Sequence, residues 1–189
     1  MIGYKKYKWF YTKSGKIVVG GKSAESNDSL LRELKSSRND YIVMHTKAPG
    51  SPFCAILSEI KSVSSSDIEE CAIFTGCFSK AWKEQKRETK VDMFHLSQIN
   101  KRNLKSGSWS VTGKIQSHTI ELNLVLVFQE KTIRAVPMQS VLKKEILFYV
   151  SPGNIDKSLV VKDKMFENLN SEQIIVALPA GGVSFKKNA

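Results

Sequence analysis

At 189 residues and 41% hydrophobic content, the chain suits one generous domain, or one domain with an appended subdomain, around a proper core. Its formal charge of +11 sits in two places. Residues 1–22 hold six lysines and no acid, and residues 80–105 hold eight Lys or Arg against Glu84, Glu88 and Asp92, while the remainder balances. Segregated charge of this kind attracts a polyanion without naming it. A membrane span is excluded, because no run approaches the roughly 18 apolar residues that one needs.

In chain order, Trp9–Thr12 and Ile17–Gly20 read as two strands of a hairpin around the turn Lys13-Ser14-Gly15-Lys16. Gly20-Gly21 breaks the strand, and Ser23–Lys35 reads as a helix with Leu30, Leu31 and Leu34 inward. Paired glycines ahead of a helix could cradle a phosphate, but this pair lacks the spacing of a P-loop or a dinucleotide fingerprint, and such glycines more often just make a tight strand-to-helix turn. Strands are expected over Asp40–His45 and Phe53–Leu57, with a two-proline loop from Thr46 to Pro52 between them.

Ser62–Ser66 is a polar linker into the longest helical pattern, Ser66–Lys90. Ile68, Cys71, Ala72, Thr75, Phe78 and Trp82 make its apolar stripe, and Ser66 with Glu69 has the form of a capping box. Its far end is basic, either as a solvated helix end that suits the macrodipole or as a surface offered to an anion. A strand over Val91–Leu96, a polar basic connection over Ser97–Gly107 and a short strand over Ser108–Lys114 follow. Thr119–Phe128 is the clearest strand, with Ile120, Leu122, Leu124, Leu126 and Phe128 on one face and a far half buried on both. Pro137 marks a change, after which a strand over Ile146–Val150, a helix over Asn154–Leu169 and a last helix over Ser171–Leu178 are expected. The fold class is α+β: a mixed, mostly antiparallel sheet packed by a long central helix, with residues 137–189 as a βαα extension to a domain of residues 1–136.

Nothing in the residues assembles a catalytic set. His45, His95 and His118 have no partner at metal-ligand or triad spacing, and Cys54 paired with His45 across strands is less natural than a structural thiol in an apolar strand. Asp67, Glu69 and Glu70 fall in a helix first turn, where negative charge is expected in any case. Cys54, Cys71 and Cys77 suit neither a disulfide framework nor a zinc site, so free thiols in a reducing cytosol follow. The lysine- and aromatic-rich Met1–Lys8 leads into no apolar stretch, so a secretory signal is not expected. The expectation is a cytoplasmic binding protein rather than an enzyme, with no cofactor and no metal.

Several stretches together resemble one family. Trp9-Phe10-Tyr11-Thr12, followed by Val18-Val19-Gly20-Gly21-Lys22-Ser23-Ala24-Glu25-Ser26-Asn27, is similar to the opening hairpin and the Gly-Gly-Arg-Asp-Ala-x-x-Asn motif of the NFACT-R domain. His45–Ile56 is similar to its His-Ala-Asp-x-His-Gly strand and loop, and Ala72–Trp82 to its central Ala-x-x-x-x-x-Cys-Tyr-Ser-x-Ala-Trp helix, represented here by Cys77-Phe78-Ser79-Lys80-Ala81-Trp82. Lys105-Ser106-Gly107-Ser108-Trp109 through Lys114 resembles its Lys-Gly-Ser-Phe-x-Ile-x-Gly-Lys segment. The resemblance covers residues 7–128; from Pro137 it is to the C-terminal extension of archaeal stand-alone members. Lys22 and Ser23 replace the motif's Arg and Asp, and Lys47 and Pro49 replace the loop's Asp and second His, which turns an acidic loop basic.

That family is the RNA-binding module of ribosome-associated quality-control factors. The resemblance therefore implies binding of structured RNA, tRNA or rRNA, with the ribosome as a further partner; tailing of nascent chains does not carry over. Lys5, Lys6, Lys8, Lys22, Lys83, Lys86, Arg87, Lys90, Lys101, Arg102 and Lys105 are the expected phosphate contacts. Trp9, Tyr11 and Trp109 are candidates to stack on unpaired bases. Asn27, His45, Lys47 and Lys114 join them as residues standing in the resembling motifs. The two basic stretches are expected to form one surface. DNA binding and a protein-interaction adaptor on the ribosome remain alternatives, with a hydrolase or transferase behind them.

Overall fold

The structure is a computed structural model, and it describes residues 2–101, 108–160 and 163–188. Period-2 alternation builds its first sheet. The strands are β1 (Lys8–Tyr11), β2 (Ile17–Gly20), β3 (Ile42–Thr46), β4 (Cys54–Ile56), β5 (Glu88–His95) and β8 (Gln116–Glu121), in the antiparallel order β1-β2-β4-β3-β5-β8. Between β5 and β8 a small separate pair forms from β6 (Ile99–Asn100) and β7 (Ser110–Val111). On one face of the sheet, Trp9, Val19, Val43, Ala55 and Phe94 pack with Leu30, Leu31 and Leu34 of helix α1 (Ala24–Ser36). On the other, Phe10, Val18, Ile42, Met44, Ile56 and Val91 pack with Cys71, Phe74 and Cys77 of α2 (Ser65–Cys77). The α+β class expected from the sequence is the one observed.

The central helix ends early. Ser64 caps α2, two residues before the expected Ser66: its hydroxyl accepts the Asp67 N–H at 3.2 Å, while the Asp67 carboxylate accepts the Ser64 N–H at 2.9 Å. After Cys77, Ser79 caps a single further turn, α3 (Lys80–Lys83), and Gln85 adopts a left-handed φ of 54° that turns the chain away. Residues 88–90, expected as basic helix end, instead open β5. Pairing on both edges with β3 and β8 buries Val91 and Met93, and that gain overrides the helical preference of a Lys/Glu-rich segment.

The stretch 119–128 is likewise not one strand. β8 stops at Glu121, the Leu122 N–H donates to the Arg87 carbonyl at 2.9 Å, and β9 (Leu124–Gln129) enters a second sheet. That sheet has the order β10-β9-β11-β12, with β10 (Thr132–Val136), β11 (Phe148–Ile155) and β12 (Val183–Lys187). Leu124 to Val127 are buried on both faces, whereas Phe128, expected inward, is 52% exposed. The sheets therefore divide between Glu121 and Leu124; β9 pairs with β11 of the C-terminal segment, and β10 lies at the edge, paired with β9.

Among the described residues, little of the helix expected over 154–169 forms. Ser151-Pro152-Gly153 continues β11 through a register shift, and among the described residues only α4 (Lys157–Val160) and a short 3₁₀ turn at Lys164–Phe166 follow. Ile155 and Leu159, which a helix would have placed on one face with Phe166, are 48% and 57% exposed; Phe166 is buried. The last helix, α5 (Ser171–Ala177), is capped by Asn170, whose side chain accepts the Gln173 N–H at 2.9 Å. The two sheets share one buried cluster. Trp82 lies within it, fully buried, with its Nε1–H donating to the Gly182 carbonyl at 3.1 Å.

Candidate nucleic-acid interface

The strand register brings distant lysines to one end of the first sheet. Lys8 pairs with Gly20, Gly20 with Cys54, Cys54 with Met44 and Met44 with Met93, so these residues form a row across five strands. Past that row, at the same end, lie Gly21 to Ser23 with the start of α1, the loop 47–53, α3 and the beginning of β5. The loop is clipped in place: the Lys47 N–H donates to the Lys90 carbonyl at 2.9 Å and the Lys80 N–H to the Gly50 carbonyl at 2.7 Å. Lys22, Lys47 and Lys90 are exposed, and none has an ion-pair partner among the described residues.

Beside these lysines opens a cleft of about 620 Å³. Its walls are Lys22 to Ala24, the loop 47–53 and Trp109, and His45, Asp92 and Phe94 also line it. His45 lies at 4.5 Å from the Phe53 ring centroid, and its Nδ1–H donates to the Thr46 carbonyl at 2.7 Å. Burial lowers its pKa, against the opposing effects of that hydrogen bond and of Asp92, which leaves it neutral at physiological pH. Trp109 is half-buried; its Nε1–H donates to Asp28 at 2.7 Å, and Lys101 reaches the same carboxylate at 3.1 Å.

The family described as NFACT protein RNA binding domain matches residues 6–117. The chain belongs to this family. Lys8, Lys22, Lys47 and Lys90 all fall within the matched NFACT stretch. A curated relative, the archaeal Rqc2 homolog aRqcH of Methanocaldococcus jannaschii, is 28% identical over 199 residues, covering 97% of this chain and 29% of the relative. The chain thus spans less than a third of that protein's length. Among solved structures, the C-terminal part of the fibronectin/fibrinogen-binding protein of Streptococcus suis aligns with a TM-score of 0.51 at 21% identity, covering 61% of this chain and 44% of that one. That likeness concerns the fold alone.

Several residues expected to contact RNA are used internally. Trp9 is 3% exposed, edge-on to Tyr4 and stacked under the Arg134 guanidinium at 3.9 Å, so it has no face free for a base. Asn27 is buried and braces the loop: its Oδ1 accepts the Phe53 N–H at 2.9 Å and its Nδ2 donates to the Ser51 carbonyl at 3.4 Å. This explains Gly21, where an added Cβ would lie 2.0 Å from Asn27 Oδ1; the glycine pair provides room for packing rather than a phosphate cradle. Lys5 pairs with Glu130 at 2.8 Å, Lys6 pairs with Glu33, and the Tyr11 hydroxyl donates to Glu130 at 2.6 Å.

The far basic stretch divides. Lys86 pairs with Glu84 at 2.8 Å, and Lys86 and Arg87 line a separate cleft that also contains Glu88 and Glu121. Lys83 packs against Gly181. Lys114 is exposed between β7 and β8, on the side of the Met93–Gln116 pair away from Lys90. Arg102 and Lys105 lie outside the described residues. Three cations not named among the expected phosphate contacts stand near the site: Lys80 beside Gly50, Arg134 over Trp9, and Lys157, whose charge acts on Lys8. Only their charge could have pointed to them, because nothing in the sequence joins residues 134 or 157 to the opening hairpin.

The thiol–imidazole alternative fails on geometry. Cys54 is buried in the cluster that α2 covers, while His45 lies beside Phe53 and Asp92, which line the cleft by α1. Burial pushes the Cys54 thiol up to about 12 and raises Cys71 and Cys77 strongly, so none is a thiolate at neutral pH. Among the described residues no group of three or more His, Cys, Asp or Glu could hold a metal ion, and no helix is long and apolar enough to cross a membrane.

Proposed function

We propose that this chain binds structured RNA, tRNA or rRNA, in a ribosome-associated setting, using the basic end of the six-stranded sheet to contact phosphates. What supports the reading is one observation: the register gathers Lys8, Lys22, Lys47 and Lys90 from four separate segments, and three of them are exposed without ion-pair partners among the described residues. Phosphate contacts would supply affinity and register without reading sequence. The adjoining cleft adds what a plain cationic patch lacks. Trp109, held by Asp28, and the neutral His45 offer ring surfaces beside the lysines for an unstacked base. The name of the archaeal relative adds a quality-control setting by analogy.

The test is crosslinking in cells followed by sequencing of the attached RNA, paired with affinities for a tRNA, an rRNA stem–loop and a DNA duplex of equal charge. Enrichment of tRNA or rRNA together with a preference for RNA over the duplex is expected. Equal binding of all three would reduce the site to a general polyanion surface. Absence of crosslinked RNA would favour a protein-docking role.

A further inference from the structure

A further cleft, of about 320 Å³, opens where the hairpin meets the second sheet. Lys5, Lys8, Lys22 and Arg134 bring four cations to its lining, and no Asp or Glu lines it among the described residues. Glu130, whose charge acts on Arg134, is engaged by Lys5, Tyr4 and Tyr11. The Lys8 ammonium lies over the Phe78 ring at 4.4 Å, with no hydrogen bond or ion pair among the described residues. Arg134 Nε and Trp9 Nε1 are both buried without an acceptor. All three unsatisfied groups are donors. Burial foremost, then the charges of Lys157, Lys22 and Arg134, push the Lys8 pKa down to about 8.

A folded protein does not ordinarily leave a desolvated cation and two buried donors without acceptors, since each costs stability that water or a counterion would restore. What they share is a demand for acceptor oxygen, and the two cations add a demand for negative charge. We propose that this cleft takes one phosphate group, held by Lys8, Lys22 and Arg134. Phosphate supplies several acceptor oxygens and the counter-charge that Lys8, Lys22 and Arg134 lack among the described residues, Lys5 being already paired with Glu130. The site is composite. Arg134, Ala135, Val176 and Ala177 lie beyond the matched residues 6–117, so it exists only where the second sheet packs against the hairpin. That the phosphate belongs to RNA rests on the reading above, whereas the affinity of the cleft for phosphate does not.

The test uses the full chain at pH 7 and constant ionic strength, with inorganic phosphate as probe and chloride as control, read by the NMR shifts of the Lys8 side chain and by thermal unfolding. Phosphate is expected to move the Lys8 signals and raise the melting temperature where chloride does neither. Lys8→Met and Arg134→Gln should each weaken phosphate binding about tenfold, the scale of one charge-assisted contact. Lys8→Met should melt no lower than the parent without phosphate, because it replaces an unpaired cation by an apolar chain over Phe78, so a lost response is not lost folding. Equal effects of phosphate and chloride, or unchanged phosphate binding in both variants, would overturn the proposal.

A second arm separates the sources with one RNA stem–loop carrying either a 5′-phosphate or a 5′-hydroxyl. Extra affinity from the 5′-phosphate that Lys8→Met abolishes supports a terminal phosphate. An equal loss for both RNAs supports a phosphodiester. Loss of inorganic phosphate binding with both RNA affinities intact supports a small phosphate-bearing molecule and leaves the RNA surface to Lys47 and Lys90.

Discussion

The RNA reading is most exposed to refutation in the salt dependence of binding when Lys22, Lys47 and Lys90 are changed together to Gln. These three are exposed and unpaired among the described residues, so each phosphate contact they make releases a condensed counterion. Each contact contributes about 0.9 to the slope of log affinity against log salt on a duplex and about 0.7 on a single strand. The triple variant should therefore bind with a slope shallower by about 2 to 3. Between 50 and 200 mM salt, that shrinks the loss of affinity by roughly 20- to 40-fold relative to the parent. Fluorescence anisotropy of a labelled stem–loop over that range measures it. Lys5→Gln with Lys6→Gln is the internal control: those ammonium groups already face Glu130 and Glu33, so the slope should barely move. Thermal unfolding should be nearly unchanged in both, as for surface substitutions generally. Parallel slopes for the triple variant and the parent, or an equal fall in the control, would refute the argument.

Two further predictions concern stability and chemistry. Asp67 is buried, which alone would raise its pKa, but hydrogen bonds from Ser14, the Ser64 backbone and the Thr12 and Ser64 hydroxyls outweigh this and hold it far below the ordinary carboxylate range. Lys16 pairs with it at 3.1 Å. A depressed folded pKa gives stability that is complete above the unfolded pKa, near 3.8, and is lost as pH falls below it. Asp67→Asn should cost about 3 kcal/mol in urea unfolding at pH 7 and flatten the acid limb; a cost under about 1 kcal/mol contradicts the network. Cys54, Cys71 and Cys77 should be inert to an aromatic disulfide at pH 8 in the native protein and all react after denaturation. One fast thiol in the native protein, or fewer than three on unfolding, would contradict their burial.

What local pattern could decide, it did. Leu30, Leu31 and Leu34 at helical spacing behind Ser23 specify α1, and the hairpin of β1 and β2 follows from apolar runs around Ser14-Gly15. Four motifs in order identified the family. The hairpin of β9 and β10 was illegible for the opposite reason. Its turn places Glu130 and Lys131 at φ 49° and 60°, a conformation usually marked by Asn or Gly, and neither residue announces it. Residues 88–90 carry helix-forming Lys and Glu and became strand because two neighbouring strands were there to pair with them. The candidate site was legible as charge and, for His45, Lys47 and Trp109, through the resembling motifs. Composition located the lysines, and the register alone decided that Lys8, Lys22, Lys47 and Lys90 share one end of a sheet. Burial decided that Trp9 and Asn27 do not face a ligand, and packing between the two sheets brought Arg134 onto Trp9. Local preference acts over a few residues along the chain. Which cations meet, and which are neutralised by Glu33, Glu84 or Glu130, depends on contacts between segments far apart in sequence, and only the folded chain makes those contacts.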